Sequence, residues 1–61
     1  MSVETINKRI VELHRRGWLS SNPQEVTRLA EQLRDQYSAW DEYHDLIKRA
    51  AELERRQAER V

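Results

Sequence analysis

The stretch "DEYHD", residues 41–45, holds the side chains best suited to binding a metal ion. On a helix, Asp41, His44 and Asp45 share one face, because their spacing is i, i+3 and i+4. A carboxylate three residues before a histidine also occurs on the helices of di-iron bundle proteins. Those sites need further carboxylates from neighbouring helices, and the apolar face of the first predicted helix has none. We therefore predict no metal and no cofactor, and a solvated face with His44 at its edge.

Groups suited to covalent or phosphate chemistry are missing from the sequence. The 61 residues include no cysteine and a single glycine, so there is no thiol nucleophile and no glycine-rich phosphate loop. No serine has a histidine partner at a recognisable catalytic spacing. A pair of helices also lacks the concavity that catalytic sites occupy. The sequence therefore predicts a protein that is not an enzyme.

Basic side chains in the first segment are candidates for contacting nucleic acid: Lys8, Arg9, Arg15 and Arg16. The chain as a whole has eleven basic and eleven acidic residues, which argues against binding nucleic acid by bulk electrostatics. The connection from Gly17 to Asn22 is longer than the three- or four-residue turn of a helix-turn-helix motif. Nucleic-acid binding is therefore the second hypothesis.

Aromatic residues cluster in the middle of the chain, where Tyr37, Trp40 and Tyr43 lie within seven residues. Their helical spacing continues into an apolar stripe further along the chain. Tryptophan and tyrosine are enriched where protein interfaces concentrate binding energy. The predicted protein interface consists of Tyr37, Trp40, Tyr43, Leu46, Ile47, Ala50 and Leu53.

The stretch "RRGWLSSNPQE" predicts the end of one helix and the start of the next. Gly17 is suited to the left-handed conformation that ends many helices, and Trp18 can pack back against the helix that it leaves. Asn22 is a favoured N-cap, Pro23 suits the first helical position, and Glu25 has the spacing of a capping box. These five residues predict an interhelical turn over 17–22.

Helical periodicity runs on both sides of this turn. Apolar residues at 3, 6, 10 and 13 predict a first helix over about 3–16. After Pro23, a heptad repeat predicts one long helix over about 23–56, with residues 57–61 frayed. An alternative is a break near 36–39, because Ser38 followed by Asp41 has the spacing of a helix start.

The whole chain, residues 1–61, is predicted to form a single small helical domain. A chain of this length buries only about 60% of its unfolded surface, and without cysteine it gains no disulfide, so pairing with a second copy is favoured. A long second helix would extend beyond the first and leave its wider apolar stripe uncovered. We predict an all-α helical hairpin, with a short first helix and a long second helix, that pairs as an antiparallel homodimeric four-helix bundle with coiled-coil packing. The alternative is a monomeric three-helix bundle with a break near Ser38.

The predicted function is that of a non-enzymatic interaction protein that regulates, inhibits or scaffolds a larger protein partner and acts as a homodimer. The alternative is a small nucleic-acid-binding regulator that uses the basic side of the first helix. The N-terminus does not have the pattern of a signal peptide, and no apolar stretch has the length of a membrane span. We therefore expect a cytoplasmic protein without a membrane partner.

Overall fold

A computed structural model describes residues 2–59, which form three α-helices. The helices are α1 (Val3–Leu19), α2 (Pro23–Tyr37) and α3 (Trp40–Glu59). The prediction of an all-α protein is confirmed. The molecule measures 47 × 16 × 14 Å, so the helices lie side by side along one long axis. The central helix α2 packs against both neighbours, and α1 contacts α3 less extensively.

The first helix begins at Val3, as the sequence predicts, and ends at Leu19, three residues beyond the predicted end at about residue 16. The Ser2 hydroxyl accepts a hydrogen bond from the backbone N–H of Thr5 at 3.3 Å, which caps the N-terminus. The predicted stop at Gly17 is wrong, because α1 continues through Gly17 and Trp18 to Leu19. The backbone of Gly17 does not have a positive φ.

Gly17 instead permits a close approach between α1 and α3. It is buried, and a Cβ atom at this position would lie 2.5 Å from Cδ2 and 2.7 Å from Cδ1 of Leu46. Leu46 is fully buried and cannot withdraw into solvent. The Leu46 side chain therefore occupies the space that a side chain at position 17 would need.

The turn between α1 and α2 consists of Ser20, Ser21 and Asn22. The Asn22 side chain caps α2 by accepting from the N–H of Gln24 at 3.0 Å, and Pro23 occupies the first helical position. Glu25 acts through Ser20: the Ser20 hydroxyl accepts from the N–H of Asn22 at 3.1 Å and donates to Glu25 Oε2 at 3.2 Å. In a capping box the Glu25 carboxylate would accept directly from the Asn22 N–H. Here the Ser20 hydroxyl lies between the two groups and bonds to both.

The predicted long second helix is wrong, because the chain divides at Ser38. This residue has φ 52° and ψ 33°, the left-handed region, and its N–H donates to the Arg34 carbonyl at 3.1 Å. The N–H of Ala39 donates to the Leu33 carbonyl at 3.0 Å. A left-handed non-glycine residue costs about 1–2 kcal/mol, whereas each large apolar side chain buried by the fold-back contributes about 1.5–3 kcal/mol. Burial therefore outweighs the local strain, and the boundary lies where the alternative prediction placed it.

The third helix extends further along the chain than the sequence predicts. Residues 57–59 were expected to fray, but they belong to α3, which ends at Glu59. Arg60 and Val61, the rest of that expectation, lie outside the described residues.

The core lies among all three helices of one chain. Its buried members come mainly from the inner faces of α2 and α3: Leu13, Val26, Leu29, Ala30, Leu33, Ala39, Leu46, Ala50 and Leu53. The apolar stripe that a long helix would have left for a second chain is thus covered by α1 and α2. The need for a second copy that followed from the long helix does not arise in this fold.

The contact between Gly17 and Leu46 can be tested with a double-mutant cycle. We expect Gly17→Ala to lower the free energy of unfolding by about 1 kcal/mol, since about 1–3 kcal/mol of overpacking outweighs about 1 kcal/mol of gained helix propensity. Leu46→Val shortens the side chain by one carbon, so that the Cδ atoms that the new Cβ would meet are no longer present. In that background Gly17→Ala should be neutral or stabilising in urea denaturation, and an equal loss in both backgrounds would contradict this role for Gly17.

Candidate functional site

Four side chains around the junction of α2 and α3 form a cluster that we call the aromatic corner: Arg34, Trp40, Tyr43 and His44. The rings of Trp40 and Tyr43 meet edge to face with centroids 5.8 Å apart. Tyr43 meets His44 at 5.2 Å, and the Trp40 and His44 rings lie 6.2 Å apart. These separations are typical of favourable aromatic pairs, so the three rings hold one another in place.

Arg34 attaches this ring cluster to α2. Its Cζ atom lies 5.1 Å from the centroid of the Tyr43 ring, and its Nη1 donates to the Tyr43 hydroxyl at 3.4 Å. Arg34 Nε donates to Asp35 Oδ1 at 2.9 Å, which lowers the pKa of the Asp35 carboxyl and raises that of Arg34. The hydrogen bonds with Tyr43 and Asp35 together orient the Arg34 guanidinium.

The structure divides the predicted protein interface into buried and accessible parts. Leu46, Ala50 and Leu53 are buried in the core of the single chain. The remaining members, Tyr37, Tyr43 and Ile47, are partly buried and pack against that core, whereas Trp40 is 55% exposed. Trp40 is therefore the part of the stripe most open to another protein.

A shallow open groove, which we call the α1–α3 groove, runs beside this corner. Ile10, Val11 and His14 line it from α1. Its α3 wall carries three carboxylates and two basic or imidazole groups: Asp41, Glu42, His44, Asp45 and Lys48. The groove thus combines an apolar edge with a mainly acidic wall.

Asp45 joins the two helices at the inner end of this groove. Its Oδ2 lies 2.7 Å from His14 Nε2 and accepts from the indole N–H of Trp18 at 2.8 Å. The hydrogen bond with His14, and then that with Trp18, lower the pKa of the Asp45 carboxyl. The Arg49 guanidinium lies over the Trp18 ring, 5.4 Å from its centroid. Trp18 therefore lies within α1, where it contacts His14, and links that helix to α3. The sequence instead predicted that Trp18 would follow the end of the helix and pack back against it.

The sequence does not predict the cluster formed by His14, Trp18 and Asp45. The only local signal is that His14 and Trp18 are four residues apart and so share a helix face. Their common partner is 31 and 27 residues away along the chain. Such a pairing depends on how α1 and α3 pack.

The arrangement of acidic and imidazole groups does not form a metal centre. Within residues 2–59, no three histidine, cysteine, aspartate or glutamate side chains are placed to hold a metal ion. Asp45 of the "DEYHD" stretch is instead engaged by α1. Among the described residues that line the α1–α3 groove, none is a serine, threonine or cysteine that the His14–Asp45 pair could activate.

The four basic residues of α1 are exposed but do not form one line: Lys8, Arg9, Arg15 and Arg16. Arg9 and Arg16 border a depression beside α2 that Gln32 and Tyr37 also line. Lys8 and Arg15 do not line this depression and, being seven residues apart, share a face of α1. In the described part of the chain, Asp35 is at ion-pair distance from Arg34 and Asp45 from the His14 ring, and none of the four basic groups has a carboxylate at that distance.

The turn between α1 and α2 is shorter than the sequence predicted. Its three residues, Ser20–Asn22, match the length of the turn in a helix-turn-helix motif. The prediction that this turn is too long for a helix-turn-helix motif is therefore wrong. However, helices that lie side by side in a molecule 47 Å long and 16 Å wide do not have the steep crossing of that motif.

Comparisons with known proteins do not identify a relative. No protein-family model matches the chain, and neither the curated proteins nor the solved structures contain a match. None of the helices described over residues 2–59 is both long and apolar enough to cross a membrane.

The link from Asp45 to α1 predicts a pH-dependent stability. Because the pKa of Asp45 is lower in the folded chain than in the unfolded chain, its stabilising effect is fully present above the unfolded value of about 3.9. That effect is lost as the pH falls through the folded value. We expect Asp45→Asn to lower the melting temperature near pH 6, with the difference from wild type shrinking towards pH 2. Glu54→Gln, on the exposed face of α3, is the matched control, and a difference independent of pH would contradict the role of the carboxylate.

Proposed function

We propose that this chain is a non-enzymatic helical interaction module that uses the aromatic corner to bind a larger protein, which it regulates, inhibits or scaffolds. The observation that carries this proposal is the exposure of Trp40 on an array of rings that are already fixed in position. Single exposed apolar residues are common on protein surfaces and need no functional explanation. Trp40 differs because its ring is in contact with the rings of Tyr43 and His44 within the chain itself.

Preorganisation makes such a side chain effective in binding. Ordering a side chain at an interface costs about 0.5–1.5 kcal/mol, and contact with Tyr43 and His44 removes part of that cost for Trp40. Tryptophan, tyrosine and arginine are also the residues most enriched among binding hot spots, and the corner contains all three types. The partner surface that fits is an apolar pocket able to receive an indole ring.

Replacing Trp40 should remove partner binding without unfolding the chain. We expect Trp40→Ala to weaken the complex by at least about tenfold, which is an ordinary loss for a hot-spot tryptophan. The measurement is capture of the partner from an extract of the source cells, with a photo-crosslinker next to the corner at position 41 to identify it.

Leu19→Ala is the matched control, because Leu19 is an apolar side chain with a larger exposed fraction, 77%, at the end of α1 far from the corner. The control should capture the same protein as wild type. Capture that survives Trp40→Ala, or that Leu19→Ala reduces equally, would contradict binding through the corner. Circular dichroism of both variants shows whether the fold is retained.

A nucleic-acid-binding regulator is the second candidate, and one observation favours it. Lys8, Arg9, Arg15 and Arg16 are exposed, and within the described chain they have no carboxylate at ion-pair distance. Glu4 and Glu12, which lie four residues before Lys8 and Arg16 on the same helix, are not within ion-pair distance of them. Unneutralised basic groups on a helix are what phosphate contacts require.

This candidate predicts binding that weakens steeply with salt. We expect Arg9→Glu combined with Arg15→Glu to abolish binding to a mixed-sequence DNA duplex or single-stranded RNA at 50 mM salt while helicity is retained. The measurement is fluorescence anisotropy over a salt series. Arg55→Glu combined with Arg56→Glu on α3 is the control for net charge. Equal losses in both double variants, or no binding by the wild type, would exclude the basic side of α1 as the site.

A further inference from the structure

We propose that the α1–α3 groove is a self-association surface, on which a second copy of the chain pairs antiparallel to the first around a twofold axis near Val11. Val11 is 64% exposed at the edge of the groove, and Ile10 is half-buried beside it. The uncovered apolar surface at the groove is therefore that of Val11 together with the exposed part of Ile10, whose remainder packs against the core.

Charge complementarity identifies the occupant of this groove. Lys8 and Arg15 are exposed three residues before and four residues after Val11, so they flank it on α1. The opposite wall, on α3, presents the carboxylates of Asp41 and Glu42, with Lys48 further along the same helix. Near Val11, each copy therefore carries a positive strip on α1 beside a negative one on α3.

In an antiparallel pair, the positive strip of each copy lies against the negative strip of the other. When α1 of one copy lies in the groove of the other, its Lys8 and Arg15 face the acidic wall of that copy. The twofold axis repeats the same contacts in the opposite direction, so the assembly closes at two chains. Opposite charges placed in this way set the register and orientation of the pair.

The size of the chain also suits a second copy. A standard interface covers about 800 Å² on each partner, which is about one sixth of the 4783 Å² that this chain exposes. The balance of eleven basic and eleven acidic residues leaves no net repulsion between copies. This surface differs from the homodimer interface that the sequence predicted, because Leu46, Ala50 and Leu53 of that stripe are buried within one chain.

Two charge-reversed variants test the proposal. The first combines Lys8→Glu with Arg15→Glu, so that both strips are acidic, and the second combines Asp41→Lys with Glu42→Lys, so that both are basic. We expect wild type to dimerise and each variant alone to have a dimer dissociation constant raised at least tenfold, measured by sedimentation at 50 mM salt. An equimolar mixture of the two variants should form a heterodimer, because the reversed strips then complement each other. A monomeric wild type, unchanged variants or a mixture that stays monomeric would overturn the proposal.

Cysteine crosslinking supplies a readout that does not depend on charge reversal. The chain has no cysteine, so Val11→Cys introduces a single thiol near the proposed axis. We expect this variant to form a disulfide-linked dimer under mild oxidation at least tenfold faster than Leu19→Cys, a control outside the groove at a position that is more exposed than Val11. Equal rates would overturn the twofold arrangement.

The same experiments separate this surface from the aromatic corner. Trp40→Ala should leave the dimer dissociation constant within twofold of wild type, because Trp40 does not line the groove. A loss of dimer in Trp40→Ala would show that copies pair through the corner, which overturns the groove proposal. Failure of the groove experiments with Trp40-dependent partner capture intact would leave the proposed function standing.

Discussion

The packing of Leu46 against Gly17 is the contact on which the arrangement of the three helices depends. Helix α1 contacts α3 less than it contacts α2, and at this pair a Cβ atom on α1 would lie 2.5 Å from a side-chain atom of α3. Any side chain at position 17 would therefore require a shift of Leu46, which is fully buried, or of α1 itself. Asp45, the residue before Leu46, reaches His14 and Trp18 on the same stretch of α1. The core contact and the polar link between α1 and α3 therefore lie next to each other.

A second constraint lies at Ser38, where an unfavourable backbone conformation is offset by the burial of apolar side chains between α2 and α3. The left-handed conformation is unfavourable for serine, and the helix pattern on both sides would support an unbroken helix. Folding back at this point places α3 on α2 within the same chain and buries the stripe that contains Leu46, Ala50 and Leu53. The break also sets Trp40 at the first position of α3, where it is held against Tyr43 and His44 but remains open to solvent. The same backbone strain therefore closes the core and exposes the aromatic corner.

The surface separates into regions of different chemistry. The aromatic corner offers rings and a guanidinium to a partner protein, while the α1–α3 groove offers an apolar edge between strips of opposite charge. The two regions are distinct although both include His44. A dimer formed through the groove would present two aromatic corners, one from each chain, and two linked sites bind a multivalent partner more tightly than either does alone. Self-association and partner binding are in this way compatible on one small scaffold.

Features that depend on neighbours a few residues away follow from the amino-acid sequence. The apolar spacing predicts helices on both sides of residues 20–22, and Asn22 and Pro23 predict where α2 begins. The aromatic residues and the "DEYHD" stretch are also evident from the sequence. The role of Gly17, the division at Ser38 and the partners of Asp45 depend instead on how the helices pack. Glycine suits a helix end and a close helix contact equally well, and only the position of Leu46 distinguishes them. Likewise, a heptad pattern is the same in one long helix and in two short ones, because what separates them is the burial gained between residues distant in the chain.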